Sequence, residues 1–229
     1  GRNGSKNLSV WESEDLVNWS EQRLVKIGDE KFGCVWAPDI IYDREHGDYV
    51  LHWSSSCADD NYEKKAIYYS GTTDFEHFTA PQVLYRREDG DMIDSAIYEE
   101  DGYYYLFVKS GYDPAHVQLL RSKQVTGTYE LVEEFSRCME KLEAGKYEAP
   151  TAMKLPDGTW SLYLDYYGVP GKGQGYVPFL ADCLADGHFE RSDAEFSFPY
   201  GFKHGTILPI TMEEYERIKA HDWSDKGWK

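Results

Sequence analysis

Basic residues are scarce in this chain, and their scarcity argues against one large class of function. The 229 residues include 24 Lys and Arg against 41 Asp and Glu, which gives a formal net charge of −17. Nucleic-acid binding needs a basic patch that neutralises phosphates, and none is visible, so we expect no nucleic-acid partner. No apolar run approaches the length of a membrane span, so no membrane partner is expected either. We interpret the acidic pair Glu133 and Glu134 as charges on a solvated loop.

Cysteine and linker sequences are also rare. The four cysteines, Cys34, Cys57, Cys138 and Cys183, form no close pair and show no metal-ligand spacing. We interpret them as thiols outside any disulfide, which slightly favours a cytoplasmic over a secreted location. No Pro/Ser-rich linker interrupts the chain, so residues 1–229 are predicted to form one domain.

The chain does contain a repeat of about 55 residues. Four ionisable residues each open a short strand-like run, at spacings of 55, 54 and 56 residues: Asp39, Asp94, Glu148 and His204. In the first three units a charged turn containing glycine then leads into an aromatic second strand and a third strand. Four strands per unit, repeated at constant spacing, predict an all-β fold of the β-propeller type with one ionisable residue at the same place in each unit.

The count of strands predicts an incomplete ring. The chain opens on the end of one unit at residues 8–19, runs through three complete units and finishes with the first strand of another at residues 206–210. Thr211 and Glu214 form a capping-box sequence, so a short helix is predicted to begin at Met212. An open ring would expose unpaired strand edges, so we expect a preceding segment or a neighbouring chain to complete the first and last blades.

Convergence of the four ionisable residues would create an acid–base site. The first strand of each propeller blade lines the central channel, so these side chains are expected to meet at one end of the axis. Carboxylates held close together shift each other's pKa, so that one holds a proton while its neighbours stay charged. A pair of carboxyl groups with unequal pKa is what glycoside hydrolysis requires.

The strand-opening segments resemble the successive blade motifs of glycoside hydrolase family 43. They are Trp36-Ala37-Pro38-Asp39, Ile93-Asp94-Ser95-Ala96-Ile97, Tyr147-Glu148-Ala149-Pro150 and His204-Gly205-Thr206-Ile207-Leu208-Pro209. The resemblance implies a five-bladed propeller, incomplete here in its first and last blades. It also implies an inverting enzyme that cleaves arabinofuranosyl or xylosyl linkages of plant polysaccharides or oligosaccharides. Residues 15–19 and 33–36 are most similar to arabinosidase-type members, which favours α-L-arabinofuranosidase activity.

The resemblance also implies catalytic roles for two residues. Glu148 matches the general acid, and Asp94 matches the carboxylate that tunes the pKa of the acid and helps to orient the sugar. The general base of the family is an Asp in the first blade, which is expected roughly one repeat before Asp39 and therefore ahead of Gly1. Without that base in view, a second interpretation stays open, namely a non-catalytic propeller that binds a sugar or another protein.

Six residues are candidate substrate contacts: Asp39, Trp36, Trp53, Ser95, Tyr166 and His204. Asp39 lies on the Trp-Ala-Pro-Asp motif, whose role is either structural or substrate-contacting. His204 matches a histidine near the propeller axis that contacts the substrate region, a central ion or water. The aromatic candidates suit stacking on a sugar, although packing between blades is the more common role of such rings. The resemblance requires no cofactor and no metal, with calcium or water near His204 as an option. The sugar, and exo or endo action, stay open.

Overall fold

The computed structural model describes residues 3–111, 116–142, 147–167, 175–192, 198, 201–202 and 204–223. Within these ranges the chain forms four antiparallel sheets, a short 3₁₀ turn and two α-helices. The first sheet has two strands, β1 (Asn7–Val10) and β2 (Arg23–Lys26). Neither α-helix in the described part of the chain has the length and apolar character needed to cross a membrane.

The other three sheets are four-stranded meanders, one for each complete unit of the repeat. The second sheet contains β3 (Trp36–Asp43), β4 (Asp48–Ser56), β5 (Lys65–Thr72) and β6 (Gln82–Tyr85). The third contains β7 (Met92–Glu100), β8 (Tyr103–Ser110), β9 (Val117–Ser122) and β10 (Glu130–Leu131). The fourth contains β11 (Tyr147–Lys154), β12 (Trp160–Tyr166), β13 (Gly175–Ala181) and β14 (Glu190–Arg191). In each sheet the strands follow sequence order, as expected for propeller blades.

Apolar side chains fill the spaces between successive sheets. One cluster joins the second sheet to the third, with Ile67 and Leu106 completely buried. Another joins the third sheet to the fourth, where Phe107 and Leu162 are equally buried. Because both faces of the middle strands are covered, their sequences read as nearly continuous apolar and aromatic runs.

Two units share a turn that lies between their last two strands, β1 and β2 in the first sheet and β5 and β6 in the second. In the first copy the Asp15 carboxylate accepts hydrogen bonds from the Val17 and Asn18 amides, at 2.9 and 2.7 Å. In the second copy the Asp74 carboxylate accepts them from the Glu76 and His77 amides, both at 2.8 Å. These bonds let an aspartate replace missing backbone partners, which explains why the Asp recurs in the sequence.

The inner strands β3, β7 and β11 each contain a β-bulge near the start. The register shifts lie between Trp36 and Asp39, between Ile93 and Ala96, and between Glu148 and Thr151. One residue in each bulge has a positive φ, and His204 shares this conformation: Ala37 (43°), Asp94 (52°), Ala149 (48°) and His204 (49°). These four residues, spaced 57, 55 and 55 apart, are the equivalent positions of the repeat.

The predicted equivalence of the ionisable residues is therefore wrong in detail. Asp39 lies two residues after the positive-φ position of its unit, and Glu148 lies one residue before it. The bulge is the same in all three strands, but the positive-φ positions are spaced 57, 55 and 55 residues apart, so the nearly constant spacing of the ionisable residues does not put them at the same point of each sheet. Only Asp94 and His204 occupy equivalent backbone positions.

Three other predicted elements, a helix, a strand and a loop, are compared with the observed secondary structure. The helix α2 (Met212–Ala220) follows the predicted capping box, in which Thr211 and Glu214 cap each other. Residues 206–210 were predicted as a strand but are not one; the Ile207 amide donates to the Thr151 hydroxyl at 3.4 Å instead of to a backbone carbonyl. Glu133 and Glu134 open a helix, α1 (Glu133–Glu140), rather than lying on a loop. That helix forms because Phe135 and Met139 share one buried face.

Candidate active site

Three of the predicted residues meet at one end of the third and fourth sheets. Asp94 lies in the bulge of β7, Glu148 is the second residue of β11, and His204 follows the fourth sheet. The Nε2 atom of His204 lies 3.7 Å from Asp94 Oδ2 and 3.7 Å from Glu148 Oε1. One donor atom from each of the three residues lies within 4.8 Å of the others. The predicted convergence of Asp94 and Glu148 is therefore observed.

His204 is held by a carboxylate behind it. Its Nδ1 atom lies 3.0 Å from Oδ2 of Asp165, whose side chain is completely buried at the end of β12. This hydrogen bond is the main reason why the pKa of His204 is raised, and the charges of Asp94 and Glu148 add to it. Asp165 therefore directs Nε2 of the imidazole towards the two carboxylates and favours its cationic form.

The two carboxyl groups have pKa values above their usual range. For Glu148 the largest cause is burial, with repulsion from Asp94 added, while the His204 cation acts in the opposite direction. Burial likewise raises the pKa of Asp94, which is only 8% exposed, against 22% for the Glu148 side chain. Glu148 is thus the more open of the two carboxyl groups, and its raised pKa favours its protonated form.

A buried lysine lies beside this cluster. The Nζ atom of Lys109, at the end of β8, donates to the Tyr147 carbonyl at 2.8 Å and to the Tyr167 hydroxyl at 2.9 Å. Burial lowers its pKa to about 8, although Glu148 and Asp94 favour its charged form. The Lys109 cation in turn lowers the pKa of both carboxyl groups, so it limits how strongly the pocket holds protons.

A cavity of about 300 Å³ opens in front of the cluster. Asp39, Asp94, Ser95, Tyr176 and His204 contribute to its lining. Burial raises the pKa of Asp39 to about 6. The Ser95 hydroxyl points back from the cavity wall to Nδ1 of His52, at 2.7 Å, and the His52 ring is completely buried. Ser95 therefore also couples the second sheet to the third.

The aromatic candidates do not share this cavity. Trp53 is completely buried in the core between the first and second sheets, so its predicted contact with substrate is wrong. The cause is the packing role that such rings usually have: Trp53 stacks 6.5 Å from Tyr68. Tyr166 is half-buried and packs on Tyr147 at 5.1 Å. Trp36 is 44% exposed, with the Lys65 ammonium 5.6 Å above its ring.

Three further residues of the site were not predicted from the sequence: Lys109, Asp165 and Tyr176. The first two share a recognisable signal, since each is a charged residue that ends an apolar second strand. Strand pairing puts Asp165 opposite Glu148 and Lys109 opposite Ile93, at the same end of the sheets as the bulges. Tyr176 gave no such signal; its hydroxyl donates to the Gly205 carbonyl at 2.8 Å and holds the segment after His204 in place.

Asp94, Glu148 and His204 are also the residues that would hold an ion at this place. Carboxylate oxygens suit calcium, whereas imidazole suits softer metals, so the set is mixed. An ion here would need both carboxyl groups ionised, which the raised pKa of each one opposes.

Repeated four-stranded blades with acidic residues at one end define a propeller of the glycoside hydrolase type. A family described as "probable glycosyl hydrolase domain", related to family 43, matches residues 1–216. The chain belongs to this family. The predictions of the family and of the all-β propeller fold are thereby confirmed.

Three relatives illustrate the similarity. An α-L-arabinofuranosidase of Bifidobacterium longum subsp. longum is 30% identical over 47% of this chain and 12% of its own length. The structure of an endo-arabinase from Bacteroides thetaiotaomicron matches with a TM-score of 0.63 at 16% identity, covering 82% of this chain and 72% of that one. An exo-β-1,3-galactanase from Phanerochaete chrysosporium, solved with galactose, matches with a TM-score of 0.61 at 19% identity, covering 82% and 43%. The chain thus spans about an eighth of the curated relative, and the structural likenesses concern the fold alone.

Proposed function

We propose that this glycoside hydrolase domain cleaves arabinofuranosyl linkages with inversion of configuration, with Glu148 as the general acid. The observation that carries the proposal is the meeting of Glu148, Asp94 and His204 beside the cavity, where Glu148 is the more exposed carboxyl group and its pKa is raised. The arabinofuranosidase and arabinase among its relatives support the choice of sugar. Xylosides and galactosides are the alternatives to compare.

The protonated Glu148 donates its proton to the oxygen of the leaving sugar as the glycosidic bond breaks. Burial favours the protonated form of Glu148, and the negative charge of Asp94 adds to this effect because it disfavours ionisation of Glu148. The Ala149 amide donates to Asp94 Oδ2 at 3.3 Å, which fixes the Asp94 carboxylate beside the acid. His204 and Lys109 keep the acid from becoming too weak to donate.

A general base must activate the attacking water. Asp39 is the carboxyl group to test first among the described residues, because it lines the same cavity and its pKa of about 6 lets it accept a proton near neutral pH. Asp94 is less suitable, since one of its oxygens lies within 4.8 Å of Glu148, whereas an inverting pair keeps about 6.5–9.5 Å for a water molecule.

The test compares Glu148→Gln with the unaltered protein on aryl and alkyl arabinofuranosides. Loss of the acid should lower kcat/KM about 10²–10⁴-fold on alkyl substrates and much less on p-nitrophenyl substrates, because a good leaving group needs little protonation. Glu130→Gln, on the exposed β10, is the matched control and should leave both rates unchanged. Equal losses on both substrates would contradict the role of Glu148.

The configuration of the first product, followed by NMR, tests the stereochemistry. Inversion supports Asp94 as the residue that tunes the acid. Retention would instead assign Asp94 as a nucleophile, because retaining pairs lie about 5–5.5 Å apart. Binding of arabino-oligosaccharides without hydrolysis would favour the non-catalytic interpretation.

A further inference from the structure

A second cluster of metal-ligating side chains lies far from the acidic cavity, at the outer part of the fourth sheet. Glu134 and Cys138 are four residues apart on α1 and therefore point to the same side of the helix. His188, in the connection between β13 and β14, faces them. One donor atom from each of these three residues lies within 4.8 Å of the others.

The distances fit a single small ion. Nδ1 of His188 lies 3.9 Å from Sγ of Cys138 and 3.9 Å from Oε1 of Glu134. Tetrahedral zinc, with bonds of about 2.3 Å to sulfur and about 2.0–2.1 Å to nitrogen and oxygen, places such ligands roughly 3.3–3.6 Å apart. The two His188 separations are about 0.3–0.6 Å longer than in such a site, and the Cys138–Glu134 separation lies within 4.8 Å, so binding would draw the three side chains together.

The other ring nitrogen of His188 also has the partner expected of a metal ligand. Its Nε2 atom lies 3.2 Å from Oε1 of Glu190, the first residue of β14. Metal-bound histidines usually donate their second N–H to a carboxylate, which fixes the ring tautomer. A proton on Nε2 leaves the Nδ1 lone pair directed at Cys138 and Glu134.

The backbone around His188 is held firmly against the helix. Gly187 has a φ of +65°, and a Cβ atom there would come within 2.6 Å of Val132 and 2.9 Å of the Phe135 amide nitrogen. On the other side, the Phe189 ring packs on Phe135 at 5.4 Å. Only glycine permits this approach, so close packing of Gly187 and Phe189 places the backbone of the exposed His188 against the helix.

We propose that Glu134, Cys138 and His188 bind a zinc ion, or another borderline divalent metal, with Glu190 orienting the histidine. A thiolate, an imidazole and a carboxylate together are zinc-type ligands and do not suit calcium or magnesium. The ion would link α1 to the β13–β14 connection and so join the third sheet to the fourth. Arg137 holds the other oxygen of Glu134 at 2.8 Å, which leaves Oε1 directed at His188.

The experiment uses the full 229-residue chain, stripped of metal and kept reduced with a phosphine, and titrates it with cobalt(II). Cobalt bound to Cys138 should give a thiolate-to-metal charge-transfer absorption that saturates at one ion per chain and disappears when zinc displaces it. Zinc at about 100 times its Kd should raise the thermal midpoint by about 5–10 °C.

Three variants and a matched control locate the site. Cys138→Ser should abolish the absorption, His188→Gln should weaken binding at least tenfold, and Glu190→Gln should weaken it about 10–100-fold. Cys183→Ser, a nearby half-buried thiol outside the donor set, should leave the titration unchanged. If Cys138→Ser does not fold, the loss in His188→Gln carries the test. No thiolate absorption in the unaltered protein, or an absorption that survives Cys138→Ser and His188→Gln, would overturn the proposal.

Discussion

Glu100 and Glu148 are both glutamates at the boundary between the third and fourth sheets, but they lie at opposite ends of these sheets. Glu100 ends β7 and accepts hydrogen bonds from Lys154 Nζ at 2.7 Å, Trp160 Nε1 at 2.6 Å and the Leu184 amide at 2.7 Å. Burial would raise its pKa, yet these donors outweigh burial and the pKa is lowered. Glu148 is less buried, has acidic neighbours, and its pKa is raised.

The comparison shows that burial alone does not decide what a carboxyl group does in this protein. Hydrogen-bond donors make Glu100 a permanently charged link between strands. The absence of comparable donors around Glu148, among the described residues, leaves its proton available for chemistry. The two ends of the blades thus differ: hydrogen-bond donors surround the carboxyl group at one end, and acidic neighbours lie beside the carboxyl group at the other.

The largest effect on stability should come from breaking the Glu100 link. Glu100→Gln removes the charge and turns one acceptor into a donor that faces other donors, so the free energy of unfolding should fall by about 3–5 kcal/mol. Urea denaturation at neutral pH measures it. Glu99→Gln, next in sequence and exposed, should change it by less than about 0.5 kcal/mol. If Glu100→Gln changed the free energy of unfolding by as little, the three hydrogen-bond donors to Glu100 would not be what stabilises this end of the sheets.

Asp39 offers a stability effect of opposite sign. Its pKa is about 6 in the folded protein and about 3.9 in an unfolded chain, so the folded state binds the proton more tightly. Its ionisation therefore costs stability as the pH rises from about 4 to about 6. Asp39→Asn should be more stable than the unaltered protein at pH 7, by up to about 2–3 kcal/mol, and the gain should vanish below about pH 4.

Urea denaturation at several pH values checks the Asp39 prediction. The control is Asp101→Asn, which changes an exposed turn residue. Asp43→Asn is unsuitable as a control because His46 pairs with Asp43. A pH-independent difference would show that Asp39 stays charged in the folded state. If Asp39→Asn were more stable than the unaltered protein but hydrolysed its substrate more slowly, Asp39 would be a residue that contributes to function at a cost in stability.

The smallest effects should appear in the pH profile of hydrolysis. Asp94→Asn removes a negative neighbour and should lower the pKa of Glu148, which moves the alkaline limb of kcat/KM to lower pH by about 0.5–1 unit. Lys109→Met removes a positive neighbour and should move the same limb to higher pH by a similar amount. Shifts of the same sign in both variants would contradict the electrostatic account of the acid.

The sequence predicted much of this architecture, because strand periodicity, acidic turns and the capping box are local signals. It predicted the convergence of Asp94, Glu148 and His204 because inner strands of a propeller share an axis. It misplaced Asp39 relative to the others because the first unit is two residues longer than the next, with 57 against 55 residues between the positive-φ positions, and no compositional sign marks this difference. It also gave Trp53 a role at the surface, since an aromatic residue in a strand looks the same whether it packs between sheets or faces solvent.

Helix α1 and the Cys138 cluster were missed for a different reason. The cysteines show no metal-ligand spacing among themselves, whereas the three donors combine an i,i+4 pair on a helix with a histidine 50 residues after Cys138. Such a set becomes visible only when the close approach at Gly187 brings the two segments together.

The backbone conformation of the bulge, with its positive φ, does not depend on which side chain the position carries. Ala37, Asp94, Ala149 and His204 keep the same backbone conformation, so four copies of one backbone position carry three different kinds of side chain. Aspartate and histidine tolerate a positive φ better than alanine does, so the two alanines occupy strained positions that an acidic or imidazole side chain would relieve. A chain built this way can move its reactive groups from blade to blade by single substitutions while the scaffold stays unchanged. In the second sheet this position is occupied by Ala37, and replacing Ala37 would introduce a new carboxylate with the least rearrangement.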